Sequence, residues 1–297
     1  MRMPREPVVT REIAPLPERD EEAHKGSVGR IAVIGGCATD VSLMVGAAVL
    51  AAKAALRSGA GLVQIFLPEP LRQAAAMMAP CATTHTLPTT VSALLEAVAR
   101  FHADVAAVGP GLGGSLQAAV VVEFLNRFDG PVVLDADGLN LLATVTDAAL
   151  SAPRRIVMTP HPGEAQRLLA AKGVELPATG NAAARRKAAC ALAEHYGCTT
   201  VLKGHRTVVT DGERLYVNET GNAGMATGGA GDVLTGIIAA LMGQQMPPLE
   251  AAILGVYLHG LAGDFAAEEL GRWSVTASDL IDYLPEAFCE HEVAQAE

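Results

Sequence analysis

Short apolar, largely β-branched runs alternate with longer amphipathic stretches along this chain, and that alternation constrains the fold more than any other feature. The runs are Arg30–Ile34, Leu62–Leu67, Val105–Val108, Val132–Leu134, Ile156–Met158 and Thr200–Leu202. They are nearly continuous in apolar character, the pattern of parallel strands covered on both faces. Between them, Val45–Arg57, Val91–Arg100, Leu116–Arg127 and Ala182–His195 read as helices. Such alternation predicts βαβ units and an α/β sheet sandwiched by helices. Asp211-Gly212, set between Thr207–Thr210 and Arg214–Val217, is a turn signal that predicts a hairpin. Beyond it the pattern is helical over Asp232–Met242, Pro248–Glu269 and Ala277–Phe288. With no repeat and no linker, the expected organisation is a polar extension over 1–22, a single domain over 23–289 and a tail over 290–297.

Charge narrows the function classes. The 297 residues carry a formal net charge of −10 and only 4% aromatic side chains. Neither a nucleic-acid surface nor a stacking platform nor an anionic-membrane surface fits that balance. Any phosphate must be held locally, by backbone amides and a few cations. Five scattered cysteines without a C-x-x-C pair read as reduced thiols, so a cytoplasmic protein is expected. Met1–Glu22 has no apolar signal core. Lys53 and Arg57 interrupt the best apolar run before it reaches the roughly 20 residues of a membrane span.

Ligands of open α/β sheets sit beyond the carboxyl ends of the strands. There the loops Gly35-Gly36, Gly109–Gly113, Asp135–Gly138, Thr159–Glu164 and Lys203-Gly204 concentrate Gly, Asp, His and Pro. The most informative stretch is Gly221–Asp232, with five glycines in the eleven residues Gly221–Gly231. Leu234, Ile237, Ile238 and Leu241 follow at helical spacing, so a helix begins near Gly231 or Asp232. A glycine run opening a helix presents unobstructed amides and the positive end of the dipole to a phosphate. Asp232 would then stand beside that phosphate as a base, whereas the plainer alternative makes it an N-cap. Lys203 fits either a phosphate contact or a solvated end, with Arg206 nearby as a fork. His161, stiffened by Pro160 and Pro162, suits ligand contact, and Glu164 suits capping of a following helix. Asp135, Asp137 and Asn140 are candidates for Mg²⁺ or ribose, with a capping role open for Asp137. His259 and Asp264 read as packing or helix–helix contacts.

Gly221–Leu241 resembles the signature of the ADP/ATP-dependent NAD(P)H-hydrate dehydratases, carbohydrate-kinase-domain members of the ribokinase-like superfamily. The resemblance runs from Leu16-Pro17 and His24-Lys25-Gly26 through Gly46-Ala47-Ala48 and Arg57–Gly61 to Ala277–Leu280. It includes Gly109–Gly113, Asp135–Asn140, Thr159–Glu164 and Lys203-Gly204. It implies a three-layer α/β/α fold with a mostly parallel central sheet. It also implies a hydro-lyase that repairs hydrated NADH and NADPH with ADP (or ATP) and Mg²⁺, as a homo-oligomer of four chains. By the same resemblance Ala47, Gly111, His161 and Asp232 line the NAD(P)H-hydrate site. Lys203, Gly204, His205, Arg206, Thr207 and Gly231 contact the nucleotide. Asn222, Gly228, Gly229, Asp135 and Asn140 support them, and no metal ligand is implied. Cys37–Val45 departs from the family in being longer and more apolar than its usual polar loop. Epimerase activity, fused to some members, is expected to reside elsewhere. A kinase of a hydroxymethylpyrimidine or thiazole alcohol is the alternative within the superfamily, and a non-catalytic nucleotide sensor the alternative outside enzymes.

Overall fold

A computed structural model describes residues 7–145, 149–177 and 180–296. Its strands are β1 (Val8–Val9), β2 (Arg30–Ile34), β3 (Cys37–Ala38), β4 (Leu43–Met44), β5 (Leu62–Leu67), β6 (Thr83–Thr86), β7 (Val105–Val108), β8 (Val132–Leu134), β9 (Ile156–Met158), β10 (Thr199–Leu202), β11 (Val208–Thr210) and β12 (Arg214–Val217). Its helices are α1 (Gly46–Arg57), α2 (Arg72–Met78), α3 (Val91–Phe101), α4 (Ala118–Arg127), α5 (Ala136–Ala143), α6 (Pro162–Ala171), α7 (Ala182–Tyr196), α8 (Ala230–Gly243), α9 (Pro248–Leu270), α10 (Ala277–Asp282) and α11 (Leu284–Ala296).

Ten strands form one sheet in the order β1-β12-β11-β10-β9-β8-β7-β2-β5-β6. From β6 to β10 every neighbour is parallel, and β10-β11-β12 is an antiparallel meander. The alternation of strand side chains explains the layers. Ile31 and Val33 of β2 belong to a core built with α1, α8, α9 and α10. Ala32 and Ile34 of the same strand belong to a second core built with α3 to α7. Both faces are thus dry, as the apolar runs require. On the first face, α8 meets α1 almost backbone to backbone: a side chain at Gly236 would place its Cβ 2.1 Å from the Ala51 carbonyl oxygen.

The strand order reverses beside β2. The chain passes from β2 to β5 and β6, then returns to the opposite side of β2 as β7. Loops after two such strands diverge and leave a crevice. Here those loops are Gly35-Gly36 and Gly109–Gly113, joined by the Gly36 amide donating to the Pro110 carbonyl at 3.0 Å.

Several elements go beyond the sequence reading. Residues 7–22 of the expected extension contribute β1, which pairs in parallel with β12. The expected tail continues α11 to Ala296, and residues 1–6 and Glu297 lie outside the described residues. Ala277–Phe288, read as one helix, is two, because Pro285 falls in the first turn of α11, where its missing amide costs nothing. Cys37–Val45 forms a small hairpin, β3 with β4. Among the described residues no helix is long and apolar enough to cross a membrane.

Candidate active site

The glycine run does open a helix, and it opens it at Ala230. The N-cap is Gly229, at φ +93°, where a side chain would strike Leu50 and Ala277. Asp232 therefore sits inside the first turn of α8 rather than capping it, and the capping reading falls. The run is held by long-range bonds. Asp264 of α9 accepts from the Gly221 amide at 2.7 Å and from Asn222 Nδ2 at 2.9 Å. Asn222 Nδ2 also donates to the Gly263 carbonyl, and its Oδ1 accepts from the Gly224 amide. Asn222 and Asp264 thus shape the loop; Asp264 is not the helix–helix contact expected from its place in α9.

Beneath that first turn lies an ion pair. Lys203 Nζ donates to Asp135 Oδ1 at 2.6 Å, with the two side chains 18% and 1% exposed. Asp135 Oδ2 accepts from the buried Thr235 hydroxyl at 2.8 Å. Asp135, read as a Mg²⁺ or ribose contact, thereby commits both oxygens within the protein. A side chain on Gly231 would come 3.1 Å from Lys203 Nζ, so the ammonium lies directly under the amides of the helix start. Burial opposes the Lys203 charge, yet Asp135, Glu164 and Asp232 together hold its pKa above the ordinary value. Asp232 is pushed up to about 7, first by burial and then by repulsion from Asp135, with Lys203 pulling the other way. A carboxylate of that pKa beside a cation and a helix dipole is suited to accept a proton near neutral pH.

The Lys203–Thr207 turn follows β10 and is fastened from α7. Arg185 donates to the Leu202, Lys203 and His205 carbonyls, and the Thr207 hydroxyl donates to the Gly204 carbonyl. Arg206 adopts φ +53°, which lets the turn curl back. Nothing in the local sequence marks Arg185 for this task. A cavity of about 830 Å³ lies between the turn, the glycine loop and α9. Its walls include His161, Lys203, Gly204, His205, Arg206, Thr207, Asn222 and Gly231, with apolar Met225, Leu234 and Val256. His259 of α9 also lines it, kept neutral because burial drops its pKa to about 4. A larger cavity, of about 990 Å³, opens at the amino ends of the strands beside Pro7, Arg154 and Arg214. It contains none of the expected residues and lies at the wrong end of the sheet for this fold.

Ala47 and Gly111 lie elsewhere, at the crevice beside β2. A side chain on Gly111, at φ +60°, would touch Ala47 Cβ at 3.0 Å and Met44 next to it. Asp137 accepts from the Gly113 amide at 2.8 Å and from Asn140 Nδ2, and Asn140 Oδ1 accepts from Arg167. His161 is placed on the wall of the cavity that Lys203 lines, not at the Ala47–Gly111 crevice, and its ring nitrogen accepts from the Gly163 amide. Its own amide donates to Glu164, completing a capping box at the start of α6, so Glu164 caps as expected. Burial pushes the Glu164 carboxyl up and Lys203 pulls it partway back. Gly228 has open space beside it and is not part of the wall of that cavity. Among the described residues no three His, Cys, Asp or Glu side chains converge as a metal cage. Asp135 and Asp137 each accept a hydrogen bond on both oxygens, so of the three carboxylates Asp232 is the one that would face a Mg²⁺ carried on a phosphate ligand.

A mostly parallel sheet between two helical layers, with a glycine-rich helix start and an adjacent Asp, defines a ribokinase-like α/β protein. Comparison with known proteins sharpens that class. The chain belongs to the NAD(P)H-hydrate dehydratase family, which it matches over residues 31–286. It is 43% identical over 282 residues to a bifunctional NAD(P)H-hydrate repair enzyme of Moorella thermoacetica, covering 91% of this chain and 51% of that protein. It is 39% identical over 260 residues to the ADP-dependent (S)-NAD(P)H-hydrate dehydratase of Neisseria meningitidis, covering 85% and 82%. The structure superposes at a TM-score of 0.76 on the ADP/ATP-dependent NAD(P)H-hydrate dehydratase of Bacillus subtilis co-crystallised with ATP and Mg²⁺, with 31% identity over 94% of this chain and 95% of that one. The chain spans about half the length of the bifunctional relatives it matches.

Proposed function

We propose that this chain is an ADP-dependent (S)-NAD(P)H-hydrate dehydratase, a hydro-lyase that returns hydrated NADH or NADPH to the reduced cofactor. The observation that carries the reading is Asp232, its pKa pushed up to about 7 inside the first turn of α8, above the Lys203–Asp135 pair. In this reading the cavity holds ADP, with Lys203–Thr207 and Gly231 on its phosphates and ribose. The crevice at Ala47 and Gly111 holds the hydrated nicotinamide, and Asp232 stands between the two. Asp232 takes the proton of the hydroxyl at C6, and that oxygen bonds to the terminal phosphorus of ADP as the bond to AMP breaks. The α8 amides stabilise the charge that builds on the transferred group, where most of the catalytic demand of phosphoryl transfer lies. Bound Mg²⁺ would supply further neutralisation of the phosphate oxygens. The ring nitrogen lone pair then expels phosphate from C6, and C5 gives up a proton, leaving NAD(P)H, AMP and phosphate. The same reading takes 23–289 as one domain and the assembly as a tetramer, which light scattering tests.

The test is to mix the protein with NADH hydrate and Mg²⁺, with ADP, with ATP or with neither. Recovery of reduced-nicotinamide absorbance with nucleotide only, matched by free phosphate, supports the dehydratase and ranks the donors. A stable phosphoester formed from a hydroxymethylpyrimidine or thiazole alcohol, with no recovery of absorbance, would establish the kinase instead.

A further inference from the structure

Among the described residues, six buried side-chain atoms have no hydrogen-bond partner: one each on Ser58, Arg72, Arg155, Arg185, Thr200 and His259. Only one of these residues, His259, lines the candidate nucleotide cavity, and the orphaned atom is its Nε2. The contrast along α9 is instructive. Asp264, one turn further on, spends both oxygens on Gly221 and Asn222. His259 spends one side of its ring on the Ala230 backbone at the start of α8 and leaves Nε2 without a partner. A neutral imidazole has one N–H and one lone pair, and leaving such a group buried without a partner is unfavourable. Natural structures keep such groups chiefly where a ligand or water completes them.

We propose that His259 is a nucleotide-binding residue whose imidazole hydrogen-bonds the AMP half of the nucleotide, the half that is not transferred. This rests on the reading that the cavity takes ADP and adds a contact to it. The wall it shares supports the placement: Ala230 and Gly231 of the α8 start line the same cavity, as do the apolar Leu234 and Val256. With the other ring nitrogen donating to the Ala230 backbone, Nε2 offers a lone pair, which suits a sugar hydroxyl of the nucleotide as donor. The contact is uncharged, because burial and the nearby Lys203 charge keep the ring neutral. It fixes the orientation of the nucleotide without adding to its electrostatic hold.

The experiment compares wild type with His259→Leu and His259→Gln, using calorimetric binding of AMP and ADP, thermal melts, and the KM for ADP. His259→Leu removes the orphaned nitrogen together with the ring's bond to the Ala230 backbone, so the melting temperature of the free protein should change little. Its AMP and ADP Kd values should rise about threefold to tenfold, the range of one uncharged hydrogen bond. The KM for ADP should rise in step with that Kd. His259→Gln should recover part of the binding. A folded His259→Leu with unchanged AMP affinity overturns the proposal, as does a large fall in melting temperature with binding intact, the behaviour of a structural histidine. If the leucine variant does not fold, the wild-type imidazole ¹⁵N resonances decide: they should shift on AMP titration, and no shift overturns the assignment. Failure of wild type to bind AMP or ADP removes the nucleotide reading of the cavity and this contact with it. Normal wild-type binding with an unaffected leucine variant removes His259 alone.

Discussion

The two halves of the site are built in different ways. On the cavity side, the side proposed for the nucleotide, almost every polar group is already spent: Asp264 and Asn222 on the glycine loop, Arg185 on three carbonyls, and Asp135 on Lys203 and Thr235. On the crevice side, the β3–β4 hairpin shows water an apolar edge, with Val41 95% and Leu43 65% exposed. Its turn is closed by little more than Thr39 and Ser42 bonding each other. The first arrangement fixes donors before the ligand arrives, which is what electrostatic stabilisation of a transferred phosphoryl needs. The second leaves apolar surface for a ligand to cover. Mutations on the two sides should therefore fail differently: nucleotide-side changes in folding and ADP affinity, crevice-side changes in the KM for the hydrate alone.

The largest expected effect belongs to Asp232, which stands between the halves. Asp232→Asn should lower kcat about a hundredfold to ten-thousandfold, the usual range for a lost general base, while the ADP Kd stays nearly unchanged. Its stability effect has the opposite sign. The folded carboxyl, at about 7 against 3.8, binds its proton more tightly than the unfolded one. Asp232 therefore costs stability progressively as pH rises from about 4 to about 7, and none below that window. Melts should show Asp232→Asn gaining on wild type across that window and keeping the gain above it.

Next comes Asp135→Asn, which strips the counterion from a mostly buried Lys203. Denaturant titration should show a loss of about 3–5 kcal/mol, the cost of leaving one partner of a buried pair uncompensated. On the crevice side, Leu43→Ser should leave stability within about 0.5 kcal/mol, as exposed positions usually do. It should raise the hydrate KM by about twofold to fivefold, the loss of part of one apolar contact, and leave the ADP KM unchanged. Loss of ADP affinity in this variant would break the division between the halves.

How much of this was legible follows from which interactions are local. The six parallel core strands could be read because burial on both faces makes them continuous apolar runs. The edge strand β6, Thr83–Thr86, is polar and partly exposed, so it carries no such signal. Helix α5 was hidden by Asp135–Gly138, which reads as a loop. Gly138 is tolerated in the helix because a side chain there would meet the Val108 carbonyl oxygen at 2.8 Å. The helix start at α8 and the lysine turn were visible as local patterns. Their connections were not: Lys203 pairs with a residue 68 positions away, and Thr235 with one 100 positions away. The hairpin at Cys37–Val45 could be recognised as unusual, but its conformation depends on packing against Gly111 and Gly113.

The central claim is that the hydroxyl oxygen at C6 leaves as part of phosphate, after transfer at the α8 amino end. It is tested most directly by placing ¹⁸O in that hydroxyl, running the reaction with ADP, and weighing the released phosphate. The account predicts one ¹⁸O in every phosphate formed with NADH. Unlabelled phosphate, with the label found in water, would contradict it and separate nucleotide hydrolysis from the dehydration.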